Sequence, residues 1–241
     1  MSEKIYTIPV NEAFDGSFDE KAEKPCGCPF CRLYRKLQED EVGIILGAAM
    51  MNPETRIQTN EKGFCRDHYD LMIKKQSRLS LGLMLESHLD YVREEMKNGG
   101  GLIARLKKPG AGGVSEKLKK LEGSCYICDR ISYSFERMLI NAALLWDEDD
   151  SFKVKTEKQP YFCLPHFRMW TDAAKNSLDK KVYGDFYKSV SEVTGAYFDE
   201  LRKDTSWFCK KFDYRYENES WGNSKDAIER AEKFLCGDMT D

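Results

Sequence analysis

The chain lacks any apolar run long enough to cross a membrane. The longest such run, VGIILGAAMM at residues 42–51, is about half of the roughly 20 residues that a transmembrane helix needs. The opening stretch, MSEKIYTIPVNEAFDG, places no continuous apolar core behind its early charges, so it does not match a secretory signal peptide. We therefore expect a cytoplasmic protein with no membrane contact.

The chain also lacks a surplus of charge of either sign. Its 38 Lys and Arg residues nearly balance 41 Asp and Glu residues, for a formal net charge of −3. This balance offers no bulk electrostatic attraction to nucleic acid or to an anionic membrane. We do not expect nucleic acid among the partners, which leaves an unidentified protein or small molecule as the partner class and the oligomeric state open.

The best-marked enzyme motifs are missing as well. The sequence contains no Walker loop, dinucleotide fingerprint, Gly-x-Ser-x-Gly elbow or HExxH motif, each of which identifies a major class of enzymes. Sustained alternation of apolar and polar residues, the pattern of a half-buried strand, is also missing. The sequence therefore predicts an all-α protein and favours a binding or regulatory module over an enzyme.

Cysteine, in contrast, is plentiful: the chain has nine, and cytosolic thiols are kept reduced. Six of them, with two histidines, form two copies of one pattern, which are Cys28, Cys31, Cys65 and His68, then Cys125, Cys128, Cys163 and His166. The second copy follows the first at offsets of 97, 97, 98 and 98 residues. For Cys26, Cys209 and Cys236, which stand outside the pattern, we expect the ordinary role of small buried side chains.

The residues around the cysteines repeat too. FCRDHY at residues 64–69 matches FCLPHF at 162–167, which indicates a duplicated unit. We predict four segments: an N-terminal helical metal-binding repeat (1–97), a flexible Gly/Lys-rich linker (98–122), a C-terminal helical metal-binding repeat (123–205), and an aromatic clasp with a final helix (206–241).

Apolar spacing predicts the helices within this scheme. The expected helices cover residues 29–51, 64–75, 79–97, 126–147, a stretch from 162, 183–205, and a short helix from 223 or 224. Residues 52–63, NPETRIQTNEKG, break the pattern with Asn, Pro and Gly. We read residues 147–151 as an acidic loop.

The repeated pattern suits two zinc ions. Zinc prefers four tetrahedral ligands, and a CxxC turn places two thiolates at adjacent corners. A Cys and a His three residues apart share one face of a helix and can fill the other corners. We predict one ion per copy, the first between Cys28, Cys31, Cys65 and His68, the second between Cys125, Cys128, Cys163 and His166. Because protein side chains fill all four positions, each site would be structural.

Two other chemistries remain open for these cysteines. The sites could hold iron–sulfur clusters, for which a single His ligand is less common. The CxxC pairs could instead act in thiol redox chemistry or metal sensing, although no βαβ context accompanies them.

Three further features have an ordinary and a functional interpretation. The basic stretch at 105–120 is a solvated linker or a phosphate contact. His88 has no repeated counterpart, so we expect a helix-surface or core residue rather than a ligand. The C-terminal aromatic residues form a clasp over the core or a ligand platform; they are Trp207, Phe208, Phe212, Tyr214, Tyr216 and Trp221.

Several segments together resemble a known family. They include KIYTIPVNEAF at the start, CPFC, LGAAMMNPETRIQTNEKGFCRDH, CYICDR, FCLPHF and WFCKKFDYRYENESWGNSKDAIERA. The chain is similar over nearly its whole length to an uncharacterised bacterial family with tandem CPxC/FCxxH motifs, domain of unknown function family 6062. The resemblance implies a bacterial, intracellular protein and no particular reaction. It also implies that the opening stretch and the aromatic tail belong to the fold.

Overall fold

The computed structural model describes residues 4–16, 27–98 and 113–239, and these residues fold into helices joined by short connections. No strand occurs in these ranges, which confirms the all-α prediction. None of the helices described combines the length and the apolar character that a bilayer crossing demands.

The described residues contain eleven α-helices and three short 3-10 helices. The α-helices are α1 (Lys4–Asp15), α2 (Pro29–Leu46), α3 (Pro53–Lys62), α4 (Arg66–Lys74), α5 (Arg78–Asn98), α6 (Gly113–Glu122), α7 (Tyr126–Glu148), α8 (Asp150–Glu157), α9 (Leu164–Ser177), α10 (Lys180–Lys210) and α11 (Ala227–Cys236). The 3-10 helices are Ala48–Met51, Tyr214–Tyr216 and Gly222–Ser224.

The predicted break at 52–63 is wrong, because ten of these residues form α3. The Asn-Pro pair that reads as a breaker starts the helix. The Asn52 side chain accepts hydrogen bonds from the backbone N–H groups of Glu54 (2.9 Å) and Thr55 (3.2 Å), and Pro53 occupies the first turn, where its missing N–H costs nothing.

The predicted acidic loop at 147–151 is also shorter than expected. Helix α7 runs to Glu148, and Asp149 caps α8 by accepting a hydrogen bond from the Ser151 N–H (2.8 Å). In the predicted linker, residues 113–122 form α6, while residues 99–112 lie outside the described residues.

The chain divides into two compact units, and neither is a consecutive repeat. Unit 1 contains Met1–Lys36 and Ser134–Asp241, and unit 2 contains Leu37–Tyr133. Both boundaries fall inside long helices, α2 and α7. The units therefore differ from the predicted repeats at 1–97 and 123–205, since each takes one part of both copies.

Unit 1 has an aromatic core around a fully buried Trp170. The ring centroid of Trp170 lies 4.9 Å from that of Phe30, 5.0 Å from Phe162 and 4.8 Å from Phe186. The contacts with Phe30 and Phe186 are edge-to-face, a geometry that adds to the free energy gained by burying each ring. The core thus includes Phe30, which lies inside the first CxxC motif.

The N-terminal helix α1 belongs to this unit. The Gln159 side chain donates a hydrogen bond to the Phe14 carbonyl (2.8 Å), and Arg32 donates one to the Ala13 carbonyl (2.8 Å). Lys155 donates to Asn11 (2.8 Å). As the family resemblance implied, α1 is part of the fold.

Unit 2 has an aliphatic core that includes Val42, Ile45, Met72 and Met84, each at most 1% exposed. Helix α3 packs on α5 in this unit. His88 on α5 hydrogen-bonds through Nδ1 to the Asn60 carbonyl on α3 (2.9 Å). The structure therefore places His88 at a helix–helix contact.

The C-terminal aromatic residues do not belong to the core. None of the six is buried, and Phe212 and Tyr214 are 75% and 83% exposed. The buried ammonium of Lys211 supports their loop by donating to the carbonyls of Tyr216 (2.5 Å), Glu217 (2.9 Å) and Glu219 (2.7 Å).

Helix α11 packs back on the core in place of the aromatic residues. Its Phe234 is 2% exposed and lies 5.9 Å from Tyr161 and 5.7 Å from Tyr197, measured between ring centroids. The role of a clasp thus falls to the final helix.

Candidate metal centres

The eight cysteine and histidine residues of the repeated pattern come together in two groups, but the predicted pairing is wrong. In each group one sulfur or nitrogen atom per residue lies within 4.8 Å of the others. One group, here the buried centre, comprises Cys28, Cys31, Cys163 and His166; the other, the partly exposed centre, comprises Cys65, His68, Cys125 and Cys128. Each centre joins the CxxC of one copy to the CxxH of the other.

Helix starts position all eight side chains. The two CxxC motifs lie where α2 and α7 begin, and Cys65 and Cys163 are the N-caps of α4 and α9. In the first motif, the Cys31 N–H donates to the Cys28 carbonyl (3.1 Å) and turns the chain so that both sulfurs face the same side. Two helix N-termini therefore meet at each centre, where their dipoles favour thiolate over thiol.

The buried centre is closed to solvent. Its three cysteines are 0% exposed and His166 is 1% exposed. His166 directs Nδ1 at the sulfurs, 3.1 Å from Cys163, 3.3 Å from Cys31 and 3.8 Å from Cys28. The sulfurs of Cys31 and Cys163 lie 3.6 Å apart. The His166 ring itself packs against Phe135, with centroids 5.1 Å apart.

The end of the chain covers the buried centre. The Asp238 backbone N–H donates to the Cys31 sulfur at 3.2 Å. Gly237, in the left-handed region with a φ of +84°, lies so near that a Cβ atom there would be 3.7 Å from the Cys163 sulfur. Space is also limited beside the first CxxC motif. A Cβ on Gly27 would approach the Tyr161 ring to 2.2 Å, so the position before Cys28 requires glycine.

The partly exposed centre has similar dimensions and a looser cover. Nδ1 of His68 lies 3.1 Å from the Cys65 sulfur and 3.4 Å from those of Cys125 and Cys128. The sulfurs of Cys65 and Cys128 lie 3.7 Å apart. Cys125 and His68 are buried, at 5% and 2% exposure, whereas Cys65 and Cys128 are partly exposed.

Backbone contacts hold the two motifs of this centre together. The Tyr126 N–H donates to the Gly63 carbonyl (3.0 Å), and the Ser124 hydroxyl donates to the Lys62 carbonyl (2.7 Å). Gly63 adopts a φ of +60° and passes so close to His88 that a Cβ would be 3.1 Å from the imidazole. These contacts bring the start of α7 to the start of α4.

Burial and hydrogen bonding act in opposite directions on the Cys28 thiol of the buried centre. Burial opposes ionisation of Cys28, but hydrogen bonds from Cys163, Cys31 and His166 outweigh it and hold the pKa of Cys28 well below its ordinary value. The hydrogen bond that Cys163 makes with Cys28 raises the pKa of Cys163. Because like charges at this distance oppose one another, ionisation of all three cysteines is favoured only with a cation between them.

In the partly exposed centre the effect of burial dominates, and it raises the pKa of Cys125 and of Cys128. Burial also lowers the pKa of His68, which favours the neutral imidazole that a metal ion binds. Nε2 of His68 is buried without a hydrogen-bond partner, so Nδ1 is the atom available for bonding. Three sulfurs and one imidazole nitrogen in each group could hold a metal ion.

The remaining sequence candidates lie elsewhere. Cys209 and Cys236 are exposed, so the prediction that they are buried is wrong, and Cys26 lies outside the described residues. The Asp238 N–H donor was missed because a backbone group leaves no residue-type signal. Gly237, after the last turn of α11, is the one sequence feature that marks this approach.

The comparisons with known proteins agree with the resemblance. A family model described as a family of unknown function, DUF6062, matches residues 1–241. The chain belongs to this family. No curated protein matches significantly, and neither does any solved structure.

Proposed function

We propose that this DUF6062 member is a cytoplasmic zinc protein in which two structural Cys3His ions hold a helical binding or regulatory module. The observation that supports the proposal most directly is the convergence of four ligand atoms in each group, all within 4.8 Å of one another. Such a set satisfies the tetrahedral preference of zinc and leaves no protein-free position for a reacting water.

The donor set favours zinc over the alternatives. A closed group of three thiolates and one imidazole is common for structural zinc and less common for iron–sulfur clusters. Both histidines present Nδ1 to the sulfurs. A cluster would also have to fit where the Cys31 and Cys163 sulfurs are already 3.6 Å apart, a spacing typical of ligands around a single ion.

The ions would act as links between segments that are distant in the chain. Cys31 and Cys163 are 132 positions apart, and His68 and Cys125 are 57 apart. Apparent zinc binding in small peptides contributes about 10 kcal/mol or more, which is comparable to the folding free energy of a whole domain. Loss of an ion with no other link in its place is therefore expected to destabilise the unit that contains it.

A binding or regulatory role follows from what accompanies the centres. Both ligand sets are closed, and the sequence carries none of the well-marked enzyme motifs. The exposed rings of Phe212 and Tyr214, on a loop held by Lys211, offer a contact surface of the kind that partners use.

Elemental analysis with native mass spectrometry, on protein made without added metal, tests the proposal. We expect two zinc ions per chain. The Cys209→Ser and Cys236→Ser variants serve as controls, because both thiols are exposed and outside the centres, and they should retain both ions. Iron with labile sulfide in the purified protein would contradict the assignment of zinc. A metal-free protein that is as stable as the same protein with zinc would contradict the structural role.

A further inference from the structure

The two centres have the same ligands but differ in access. All three cysteines of the buried centre are 0% exposed, whereas Cys65 and Cys128 are both partly exposed. Oxidation of cysteine depends on thiolate character and on exposure. Bound zinc would hold all six cysteine ligands as thiolates, so exposure is the property that differs between the centres. A soluble oxidant therefore has better access to Cys65 and Cys128 than to any cysteine of the buried centre.

We propose that the partly exposed centre is a peroxide-responsive zinc site: oxidation joins Cys65 to Cys128 and releases that zinc ion, while the buried centre keeps its own. This inference rests on the proposed function, since it requires zinc in both centres. It adds a regulatory role to one of two structural ligand sets that are chemically identical.

The spacing of the sulfurs permits the bond. The Cys65 and Cys128 sulfurs are 3.7 Å apart. A disulfide bond is about 2.0 Å long, so the two sulfurs have to move closer together by less than about 2 Å. In the buried centre Cys31 and Cys163 are as close, at 3.6 Å. Access rather than spacing is therefore the property that separates the centres.

The chemistry balances with one hydrogen peroxide per disulfide. One thiolate attacks a peroxide oxygen, which breaks the O–O bond, forms a sulfenic acid and expels hydroxide. The second thiolate then attacks that sulfur, forms the S–S bond and displaces the second hydroxide. The two sulfurs lose two electrons, the peroxide gains them, and two protons convert the hydroxides to water. Only Cys125 and His68 then remain as ligands, too few to retain zinc.

The resulting disulfide would join the same segments as the lost ion. Cys65 caps α4, and Cys128 lies in the first turn of α7. The hydrogen bonds from Tyr126 to Gly63 and from Ser124 to Lys62 connect these segments independently of the metal. Unit 2 can therefore release zinc without separating the two helix starts, and reduction with added zinc would restore the site.

The test uses the full chain with Cys26→Ser, Cys209→Ser and Cys236→Ser, so that only the six patterned cysteines remain. Native mass spectrometry first establishes whether the protein carries two zinc ions; if it does not, the proposed function fails before peroxide is added. One equivalent of peroxide should then remove one zinc ion, and peptide mapping should identify a Cys65–Cys128 bond. The released zinc should rebind after reduction.

Three results would overturn this inference without contradicting the proposal that both centres bind zinc. They are loss of both ions together, a disulfide that includes a cysteine of the buried centre, and retention of both ions at peroxide levels that oxidise Cys209 in the unmodified chain. A Cys65→Ser variant shows the response of the buried centre by itself. Its remaining zinc ion should stay bound through the same peroxide treatment.

Discussion

The buried and the partly exposed centres share one set of ligand types but differ in their surroundings. Both use a CxxC at the start of a long helix and a CxxH at the start of a shorter one. The buried centre adjoins the aromatic core of unit 1, through Phe30 and Phe135. The other belongs to unit 2, whose core is aliphatic. The ligands determine which metal can bind, and the surroundings determine how readily it exchanges.

The largest expected effect concerns which residues share an ion. The double variant Cys31→Ser with Cys163→Ser removes two ligands from the buried centre alone, so one zinc ion per chain should remain. The double variant Cys31→Ser with Cys65→Ser removes one ligand from each centre, and both ions should be lost or weakened. Native mass spectrometry measures the stoichiometry directly.

These double variants control for one another, because each removes two thiols. If ions were bound within consecutive copies, the outcomes would be reversed: Cys31 with Cys65 would leave one ion, and Cys31 with Cys163 none. Zinc counts in that order would refute the exchanged pairing seen in the structure.

The exchange explains how far the sequence could lead. The repeat identified all eight residues that the structure brings together, and helical periodicity identified the fold class. Two CxxC and two CxxH motifs can pair in two ways, however, with identical chemistry. The shorter loops favour consecutive pairing only weakly, since closing 132 rather than 34 residues costs only about 1 kcal/mol more.

Helix lengths carry information that motif spacing lacks. At 1.5 Å per residue, α7 takes the chain about 30 Å from Cys128 before it ends at Glu148. Residues 149–163 include the eight residues of α8, which cover only about 12 Å. Consecutive pairing would thus require the rest to be nearly extended. Reading Asn52 as a breaker instead of a cap hid the same constraint in the first copy.

The second comparison replaces one histidine at a time. His166→Ala should remove the ion of the buried centre together with a ring that packs on Phe30 and Phe135, whereas His68→Ala should remove the other ion together with a buried imidazole that lies outside the aromatic core. We expect His166→Ala to lower stability more, by a further 1–3 kcal/mol or so from lost packing. Thermal unfolding with zinc analysis of each variant measures both effects.

The contrast depends on the order of the two stabilities, since each variant should retain one ion. A His68→Ala protein that is less stable than His166→Ala would show that the aromatic core does not depend on its adjacent centre. Normal zinc content in either variant would remove that histidine from the ligand set.

A smaller effect is expected where the chain end covers the buried centre. Asp238→Pro removes the N–H that donates to the Cys31 sulfur, and Asp238→Ala keeps it. Both variants remove the ion pair of Asp238 with Lys233 (3.0 Å), so their difference isolates the backbone donor. Because a hydrogen bond to a charged acceptor contributes about 1.5–3 kcal/mol, zinc release to a chelator should be roughly 10- to 150-fold faster in Asp238→Pro than in Asp238→Ala.

Gly237 makes this substitution feasible, because its φ of 84° and ψ of 160° lie outside the α region that a following proline disfavours. Zinc release should be measured in the Cys65→Ser background, where only the buried centre contributes. Equal release rates for the proline and alanine variants would show that the N–H does not stabilise the Cys31 thiolate.

The smallest effect compares one helix cap in each unit. Asn52 caps α3 in unit 2, and Asp149 caps α8 in unit 1, each through a side-chain oxygen that accepts from backbone N–H groups. Alanine at either position should cost about 1 kcal/mol, measured by chemical denaturation at neutral pH. Asn52→Asp and Asp149→Asn should cost much less, since the accepting oxygen remains. An Asn52→Asp or Asp149→Asn variant that loses as much stability as the alanine variant at the same position would show that the accepting oxygen is not what stabilises the helix start.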